Sequence, residues 1–259
     1  MQIAYLLIPL VAGFASLLTF FSGFGLGTLL TPVLYLFFPP LEALALSGIV
    51  HLLNNVFKFA LVYPSVNYSL LLKFGITAML GAWLGAWLIN QMSETTVLYE
   101  YQAFQRTFSV SLIKFCVACL LLIFVFIELL PSIKKYTFPT AYLPFGGFIS
   151  GFFGGLSGNQ GALRTMFLAK VGLTKEAFIA TGIAIACVID ITRLSVYYQR
   201  FQQSDLTQHW QLLLFTVLAA FLGAYLGSKW LKKATLDAVQ KIVTVALLLI
   251  ALGLMAGWV

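Results

Sequence analysis

The sequence predicts an all-α polytopic membrane protein made of two inverted repeats, each a re-entrant broken-helix hairpin followed by three transmembrane helices. The first observation behind this prediction is composition: 61% of the 259 residues are hydrophobic and 9% are charged, whereas a soluble domain carries about 25% charged residues. The second is a pattern of glycine and polar residues that occurs twice along the chain. The third is the distribution of basic residues, which becomes asymmetric when each hairpin returns to its starting side.

The two halves of the chain repeat one pattern at a constant offset of 134 residues. The matching pairs are Gly13 and Gly147, residues 27–31 and 161–165, Glu42 and Glu176, Gly48 and Gly182, and Tyr63 and Tyr197. Residues 81–85 also match residues 223–227, at an offset of 142. A glycine-rich stretch interrupts the first apolar segment of each half, and each glycine costs a helix about 1 kcal/mol relative to alanine. Paired interrupted helices indicate a secondary transporter whose site lies at the repeat interface.

The first repeat is predicted over residues 1–130. Its hairpin covers residues 3–38 and breaks at residues 22–27. The second arm, residues 28–38, would rise only about 16 Å as a helix. This is roughly half of the hydrocarbon core, so the arm is expected to dip to mid-membrane and return. Transmembrane helices are predicted at residues 42–62, 68–89 and 108–130, and the polar connection at residues 90–107 is expected to be a surface loop with some helix.

A linker at residues 131–140 leads to the second repeat, residues 141–259. Its hairpin is predicted at residues 141–170, and its transmembrane helices at residues 175–198, 210–231 and 238–258. Trp210, Trp230 and Trp258 fall near the ends of these spans, where aromatic side chains anchor helices at the membrane interface. In lipid a broken backbone is tolerated only where protein buries it or water reaches it, so both breaks predict a binding site.

The basic residues favour an inverted arrangement over a parallel one. If each interrupted segment crossed the membrane once, six basic residues would lie on one side and eight on the other. If each segment returns, ten basic residues share one side, Lys58 among them, and four share the other, Arg193 among them. The positive-inside rule expects such an asymmetry, with the linker in the cytoplasm and both termini outside it.

Several short patterns resemble the sulfite exporter TauE/SafE family of membrane permeases. They are the glycine-rich break, the acidic-alanine step at residues 42–43 and 176–177, and the GAxLGA pattern at residues 81–86. The resemblance covers nearly the whole chain and both repeats, and it implies transport of sulfite, sulfonates or small organic anions. The first copy of the break, residues 23–27, departs from the family pattern because it lacks a compact glycine triplet.

The predicted substrate-binding residues line the two breaks. Short helices are expected to begin at Gly27 and Gly161, and their free N–H groups carry the positive ends of helix dipoles, which suit an anion. Asn159 and Gln160 add side-chain donors. The complete predicted set is Gly25, Gly27, Thr28, Gly158, Asn159, Gln160, Gly161 and Arg164.

Two charged residues at membrane depth have more than one interpretation. The planar guanidinium of Arg164 suits direct contact with a sulfonate, sulfite or carboxylate. Alternatively, Arg164 pairs with Asp190 or snorkels to the near interface. Asp190 is either a proton carrier or the i,i+3 partner of Arg193 on one helix face.

A polar stripe on the helix predicted at residues 42–62 is the second candidate feature. His51, Asn55 and Lys58 share one face at the spacing i, i+4, i+7, so this face must contact protein or water. His51 and Asn55 either form a coupling relay with Asp190 or are hydrogen-bonded structural groups. The sequence has only two histidines, so a histidine-rich metal site is not supported and no metal is expected.

These observations predict a secondary transporter of a small anion in the cytoplasmic (inner) membrane, working by alternating access with a proton or sodium ion as coupling ion. The alternatives are a passive anion channel and a membrane-embedded enzyme or redox subunit. Neither enzymatic activity nor a cofactor is expected, because the sequence lacks GxxxxGK[ST], HExxH and GxSxG motifs. The net charge of +7 is spread thinly between apolar spans and does not indicate nucleic-acid binding. The sequence leaves the oligomeric state open.

Overall fold

The computed structural model describes residues 2–20, 26–92, 96–103, 105–129, 138–169, 171–201, 209–230 and 236–258. Most of the linker, residues 131–137, lies outside this part. The helices are α1 Gln2–Thr19, α2 Gly27–Tyr35, α3 Pro40–Val62, α4 Tyr68–Gln91, α5 Leu112–Leu129, α6 Leu143–Ser157, α7 Gly161–Leu168, α8 Lys175–Phe201, α9 Trp210–Trp230 and α10 Leu236–Met255. Helices α1, α3, α4, α8 and α9 are long and apolar enough to cross a membrane. The predicted all-α polytopic class is thereby confirmed.

Each half of the chain begins with a broken helix, α1–α2 in the first and α6–α7 in the second. The return of α7 along α6 is visible at Gly146, where an added Cβ would lie 2.3 Å from the Phe167 ring at the far end of α7. Phe138, just before α6, stacks on the same ring with centroids 4.4 Å apart. Helix α7 is therefore the short return arm of a hairpin. Helix α1, by contrast, has 18 residues and is long enough by itself to span.

Glycines allow the first arm of each hairpin to pack on the backbone of the other repeat. Helix α6 lies along α4, where a Cβ at Gly151 would fall 1.9 Å from the Ala78 carbonyl oxygen. Helix α1 lies along α9, where a Cβ at Gly223 would fall 2.0 Å from the Gly13 carbonyl oxygen. Close packing of small residues associates helices in lipid, where water provides no driving force. Similarly close contacts occur at Gly81, Gly85, Gly147 and Gly155.

The equivalent helices α3 and α8 run antiparallel through the centre of the molecule. Early on α3, Gly48 contacts Leu194, which lies late on α8. Beyond the end of α3, the Asn67 N–H donates to the Thr181 hydroxyl, early on α8, at 2.9 Å. The midpoints of the two helices therefore lie side by side, and the central polar residues lie there.

The connection between α4 and α5 is a β-hairpin, so the expectation of a loop with some helix at residues 90–107 is wrong. Strands β1 Val97–Ala103 and β2 Arg106–Ser111 pair antiparallel, and they are rich in the aromatic and β-branched residues that favour strands. The hydroxyl of Tyr101 donates to the Ala256 carbonyl at 2.6 Å. This bond fastens the β-hairpin to the end of α10. Helix α5 consequently begins at Leu112, four residues after the predicted start.

Candidate functional site

The two breaks meet at the centre of the molecule. A Cβ at Gly27, the first residue of α2, would lie 3.3 Å from the Gly158 carbonyl oxygen and 3.7 Å from the His51 ring. Gly158 ends α6 with a φ of 78°, a left-handed conformation that favours glycine. Its N–H donates to the Gly154 carbonyl at 3.0 Å. A larger residue at Gly27 would therefore push the start of α2 away from the end of α6.

The short helices α2 and α7 both begin at the breaks. Neither Gly27 nor Gly161 follows a residue whose side chain caps the helix, so the positive ends of both helix dipoles point to the centre uncapped by side chains. Thr28 lies in the first turn of α2 and is buried. Gly25, also among the predicted binding residues, lies outside the described residues.

The tip of the second hairpin carries two buried amides with open hydrogen-bonding positions. Asn159 is 2% exposed, and within the described residues neither its amide oxygen nor its nitrogen has a hydrogen-bond partner. The Gln160 Nε2 donates to Asp190 at 3.4 Å, while its Oε1 has no partner there. Buried polar groups are normally satisfied, so these positions are suited to a ligand.

Asp190 is the centre of a buried cluster that joins α3, α7 and α8; we call it the Asp190 cluster. Its Oδ2 lies 2.6 Å from His51 Nδ1 and accepts from Asn55 Nδ2 at 3.2 Å. Its Oδ1 accepts from Arg193 Nε at 3.0 Å and lies 2.9 Å from Arg193 Nη2, in addition to the contact with Gln160. A carboxylate only accepts, so the proton in the contact with His51 belongs on Nδ1. Both oxygens of Asp190 are thus occupied by N–H donors.

The guanidinium of Arg193 connects the Asp190 cluster to the hairpin tips. Arg193 is fully buried, and its Nη1 has no hydrogen-bond partner among the described residues. A Cβ at Gly158 would lie 3.0 Å from this nitrogen and 3.4 Å from the Thr31 hydroxyl. The i,i+3 pair of Asp190 and Arg193 is therefore present, and the Nη1 of Arg193 lies beside Gly158.

Arg164 lines a cavity on another side of the Asp190 cluster, which we call the Arg164 cavity. Its volume is about 30 Å³, and Asn55 and Lys58 contribute to its wall. Arg164 is 5% exposed and packs over Gly182, where a Cβ would lie 3.5 Å from its Nε. A side chain enclosed in this way does not snorkel to an interface. Asp190 forms an ion pair with Arg193, and the pairing of Arg164 with Asp190 stays a prediction.

Lys58 belongs to this centre as well, although the sequence places it among the charges that set topology. It is 3% exposed, and its Nζ donates to the Ser16 carbonyl at 3.5 Å and lies 5.6 Å from the centre of the Phe20 ring. Lys58 and Arg193 are thus not loop charges. Without these two residues, the inverted arrangement has nine basic residues on the predicted cytoplasmic side and three on the other side. The excess of basic residues therefore stays on the same side.

The predicted site residues did not include Arg193 or Lys58, although Lys58 lies on the predicted polar stripe and Arg193 was a possible partner of Asp190. Both lie one helical turn beyond a predicted residue, Arg193 after Asp190 and Lys58 after Asn55, so the periodic polar face was the available signal. Within the described part of the chain, no three His, Cys, Asp or Glu side chains gather in a way that could hold a metal ion.

Comparison with known proteins identifies one family. The family model described as sulfite exporter TauE/SafE matches residues 8–254. No curated protein and no solved structure matches the chain.

Proposed function

The chain belongs to the sulfite exporter TauE/SafE family, which is a family of membrane transporters, and from this premise we propose that it moves a small anion across the cytoplasmic (inner) membrane by alternating access. The anion is sulfite, a sulfonate or a small carboxylate. Its site is formed by the Arg164 cavity and the adjacent hairpin tips, with Asn159 and the uncapped starts of α2 and α7 as further donors.

The observation that carries this proposal is an imbalance of buried charge. Among the described residues less than a tenth exposed, Lys58, Arg164 and Arg193 are basic, and Asp190 is the one carboxylate. Charges at membrane depth are costly and are normally compensated. Three basic side chains around one carboxylate favour the binding of an anion. The donors are side chains and helix ends, so no metal is needed.

Alternating access is supported by the size of the Arg164 cavity and by the packing of the repeats. About 30 Å³ accommodates a water molecule or two, so an oxyanion enters only if the hairpins move. The antiparallel packing of α3 and α8, which occupy equivalent places in the two halves, favours inverted repeats, for which rocking about a central site is the established type of motion.

The Asp190 cluster supports a proton, rather than sodium, as the coupling ion. Sodium is coordinated by oxygen atoms, and both oxygens of Asp190 already face nitrogen donors. A further proton taken up by the pair of His51 and Asp190 adds one positive charge beside Arg164 and strengthens anion binding. Release of that proton weakens binding again, so one proton accompanies one anion.

Replacement of Arg164 by lysine tests the site. Arg164→Lys keeps the charge and loses the two-pronged guanidinium. We expect the affinity for sulfite, ethanesulfonate or acetate to fall about tenfold, which corresponds to about 1.4 kcal/mol, with little change in melting temperature. Isothermal titration calorimetry on the detergent-purified protein measures the affinity, and Arg106→Lys on the exposed part of β2 is the matched control.

Unchanged anion affinity in a well-folded Arg164→Lys variant would show that Arg164 is a structural residue and would remove the Arg164 cavity from the site. A passive channel is distinguished in proteoliposomes, because a channel conducts the anion down its own gradient and does not accumulate it against that gradient in response to a coupling ion.

A further inference from the structure

Each half of the chain contributes one basic side chain to the wall of the Arg164 cavity. Lys58, together with Thr19 and Asn55, comes from the first half, whereas Arg164 and Thr165 come from the second half. The two basic residues are 3% and 5% exposed. Because the cavity measures only about 30 Å³, an oxyanion that fills it must contact the walls supplied by both halves.

Acidic residues do not balance the basic charge at this wall. None of the described residues that line the cavity is an aspartate or a glutamate. Asp190 lies outside the lining and forms its ion pair with Arg193. It is one carboxylate against three basic side chains, so two positive charges stay unmatched when all three are protonated, whichever of them Asp190 pairs with. Charge at membrane depth is normally compensated, so the site favours two negative charges on its ligand.

The protein contacts of Lys58 do not supply a full counter-charge. Its Nζ donates to the Ser16 carbonyl at 3.5 Å and, with the Asn54 amide turned to satisfy its neighbours, to the amide oxygen of Asn54 at 3.3 Å. Both acceptors are neutral. Ser16 lies in the last turn of α1, so Lys58 also faces the negative end of that helix dipole, which amounts to about half an elementary charge. The remaining charge of the lysine is available to a ligand.

The repeated fold itself does not need a basic residue at either position. At the offset of 134 residues, Thr192 is the equivalent of Lys58, and Leu30 is the equivalent of Arg164. The Thr192 hydroxyl donates to the Val188 carbonyl of its own helix at 2.8 Å, and Leu30 is buried in the apolar core. Both halves nevertheless build the same broken helix. The two basic side chains are therefore explained by a ligand better than by the scaffold.

We propose that the Arg164 cavity selects a doubly charged oxyanion, such as the sulfite dianion, and holds it between Lys58 and Arg164; this assignment rests on the proposed function and narrows its substrate class. The guanidinium of Arg164 binds two oxygens side by side, and the ammonium of Lys58 binds the third as a point charge. A singly charged sulfonate or carboxylate leaves one of the two basic side chains without a counter-charge and binds more weakly. Lys58 is thus a residue that determines specificity.

Sulfate and methanesulfonate test this selectivity, because they have similar size and shape and differ in charge. Near neutral pH sulfate carries two charges and methanesulfonate carries one. Their binding to the full-length protein is measured by calorimetry in neutral detergent, with sulfite as the reference anion. Lys58→Gln removes the charge and Lys58→Arg keeps it. Lys73→Gln, at an exposed lysine on α4, is the matched control.

We expect wild type to bind sulfate at least about tenfold more tightly than methanesulfonate. Lys58→Gln should bring the two affinities to within about twofold by weakening sulfate, whereas Lys58→Arg and Lys73→Gln should keep the preference. A lysine that only stabilises the end of α1 gives a different result. Lys58→Gln would then lower the melting temperature and weaken both anions alike, and the unchanged ratio of affinities would overturn the role of Lys58.

The other outcomes separate this selectivity from the proposed function. Equal affinities of wild type for sulfate and methanesulfonate, both lowered in Arg164→Lys, overturn the selectivity and leave the proposed function standing. Sulfite binding that depends on Arg164, with no binding of the other two anions, has the same meaning, since the site then discriminates by shape. If Arg164→Lys changes the affinity for none of the three anions, the proposed function is overturned and this assignment with it.

Discussion

At the scale of single residues, the contact between His51 and Asp190 is where we propose that a proton is coupled to transport. The two side chains are less than a tenth exposed and lie 2.6 Å apart, with Asn55 and Arg193 occupying the remaining positions around the carboxylate. A proton bound here changes the charge beside the anion without a large movement. Glutamine at position 51 would keep a hydrogen bond to Asp190 and would not take up a proton near neutral pH.

We therefore expect His51→Gln to bind sulfite and to lose accumulation driven by a pH gradient. Sulfite uptake into proteoliposomes is followed under an imposed pH gradient and, separately, under a sodium gradient. The control is His209→Gln, which replaces the second histidine of the chain, close to Glu42 and away from the Asp190 cluster. Normal proton-driven accumulation in His51→Gln, or accumulation driven by sodium in wild type, would rule out the proton relay.

Which residues are polar at membrane depth was visible in the sequence, whereas their partners were not. The stripe of His51, Asn55 and Lys58 follows from helical spacing alone. His51 and Asp190 are 139 residues apart, and a single sequence carries no signal for a contact across that distance. Arg193 could be proposed as a local partner of Asp190, but the position of its Nη1 beside Gly158 depends on how α8 packs against the end of α6.

At the scale of elements, the close glycine contacts between α4 and α6 predict that a larger residue there lowers the stability of the protein. An alanine at position 151 would place its Cβ 1.9 Å from the Ala78 carbonyl oxygen, so the two backbones must separate. Overpacking of this kind costs about 1–3 kcal/mol, and we expect Gly151→Ala to melt several degrees below wild type in scanning fluorimetry.

The matched control for this prediction is Gly75→Ala on α4, the helix that Gly151 contacts. A Cβ at Gly75 meets only a side-chain atom of Leu71 at an ordinary 3.4 Å, and alanine is the better helix former by about 1 kcal/mol. Gly75→Ala should therefore melt at or above the wild-type temperature. Equal melting of the two variants would mean that the close contact of α4 and α6 does not contribute to stability.

Hydropathy predicts the helices that are long enough to cross the membrane, because a segment surrounded by lipid must consist mainly of apolar residues. Helix α4, for example, is Tyr68–Gln91, against a predicted span of residues 68–89. The β-hairpin at Val97–Ser111 lies in a polar connection, where hydropathy does not discriminate. Its aromatic and β-branched residues were a local signal for strands, whereas the bond from Tyr101 to the end of α10 is a tertiary contact that no local pattern reveals.

At the scale of the whole molecule, the antiparallel packing of α3 and α8 defines two ends. One end carries the end of α3 and the start of α8, as the bond from Asn67 to Thr181 shows. The other end carries the start of α3, the β-hairpin and the end of α10. If the repeats are inverted in the membrane, these two ends lie on opposite sides of it, and the bias of basic residues places the first end in the cytoplasm.

Cysteine labelling tests this orientation. The background protein has Cys116, Cys119 and Cys187 replaced by serine, and a single cysteine is then placed either at Lys175, exposed at the start of α8, or at Glu100, exposed on β1. A membrane-impermeant maleimide should label Lys175→Cys only in inside-out vesicles and Glu100→Cys only in right-side-out vesicles. Cysteines in the linker at Lys134 and Lys135 should behave as Lys175→Cys does. Labelling of Lys175→Cys and Glu100→Cys from the same side would contradict the inverted arrangement. In that arrangement the start of α8 and the β-hairpin lie at opposite ends of the molecule and therefore on opposite sides of the membrane.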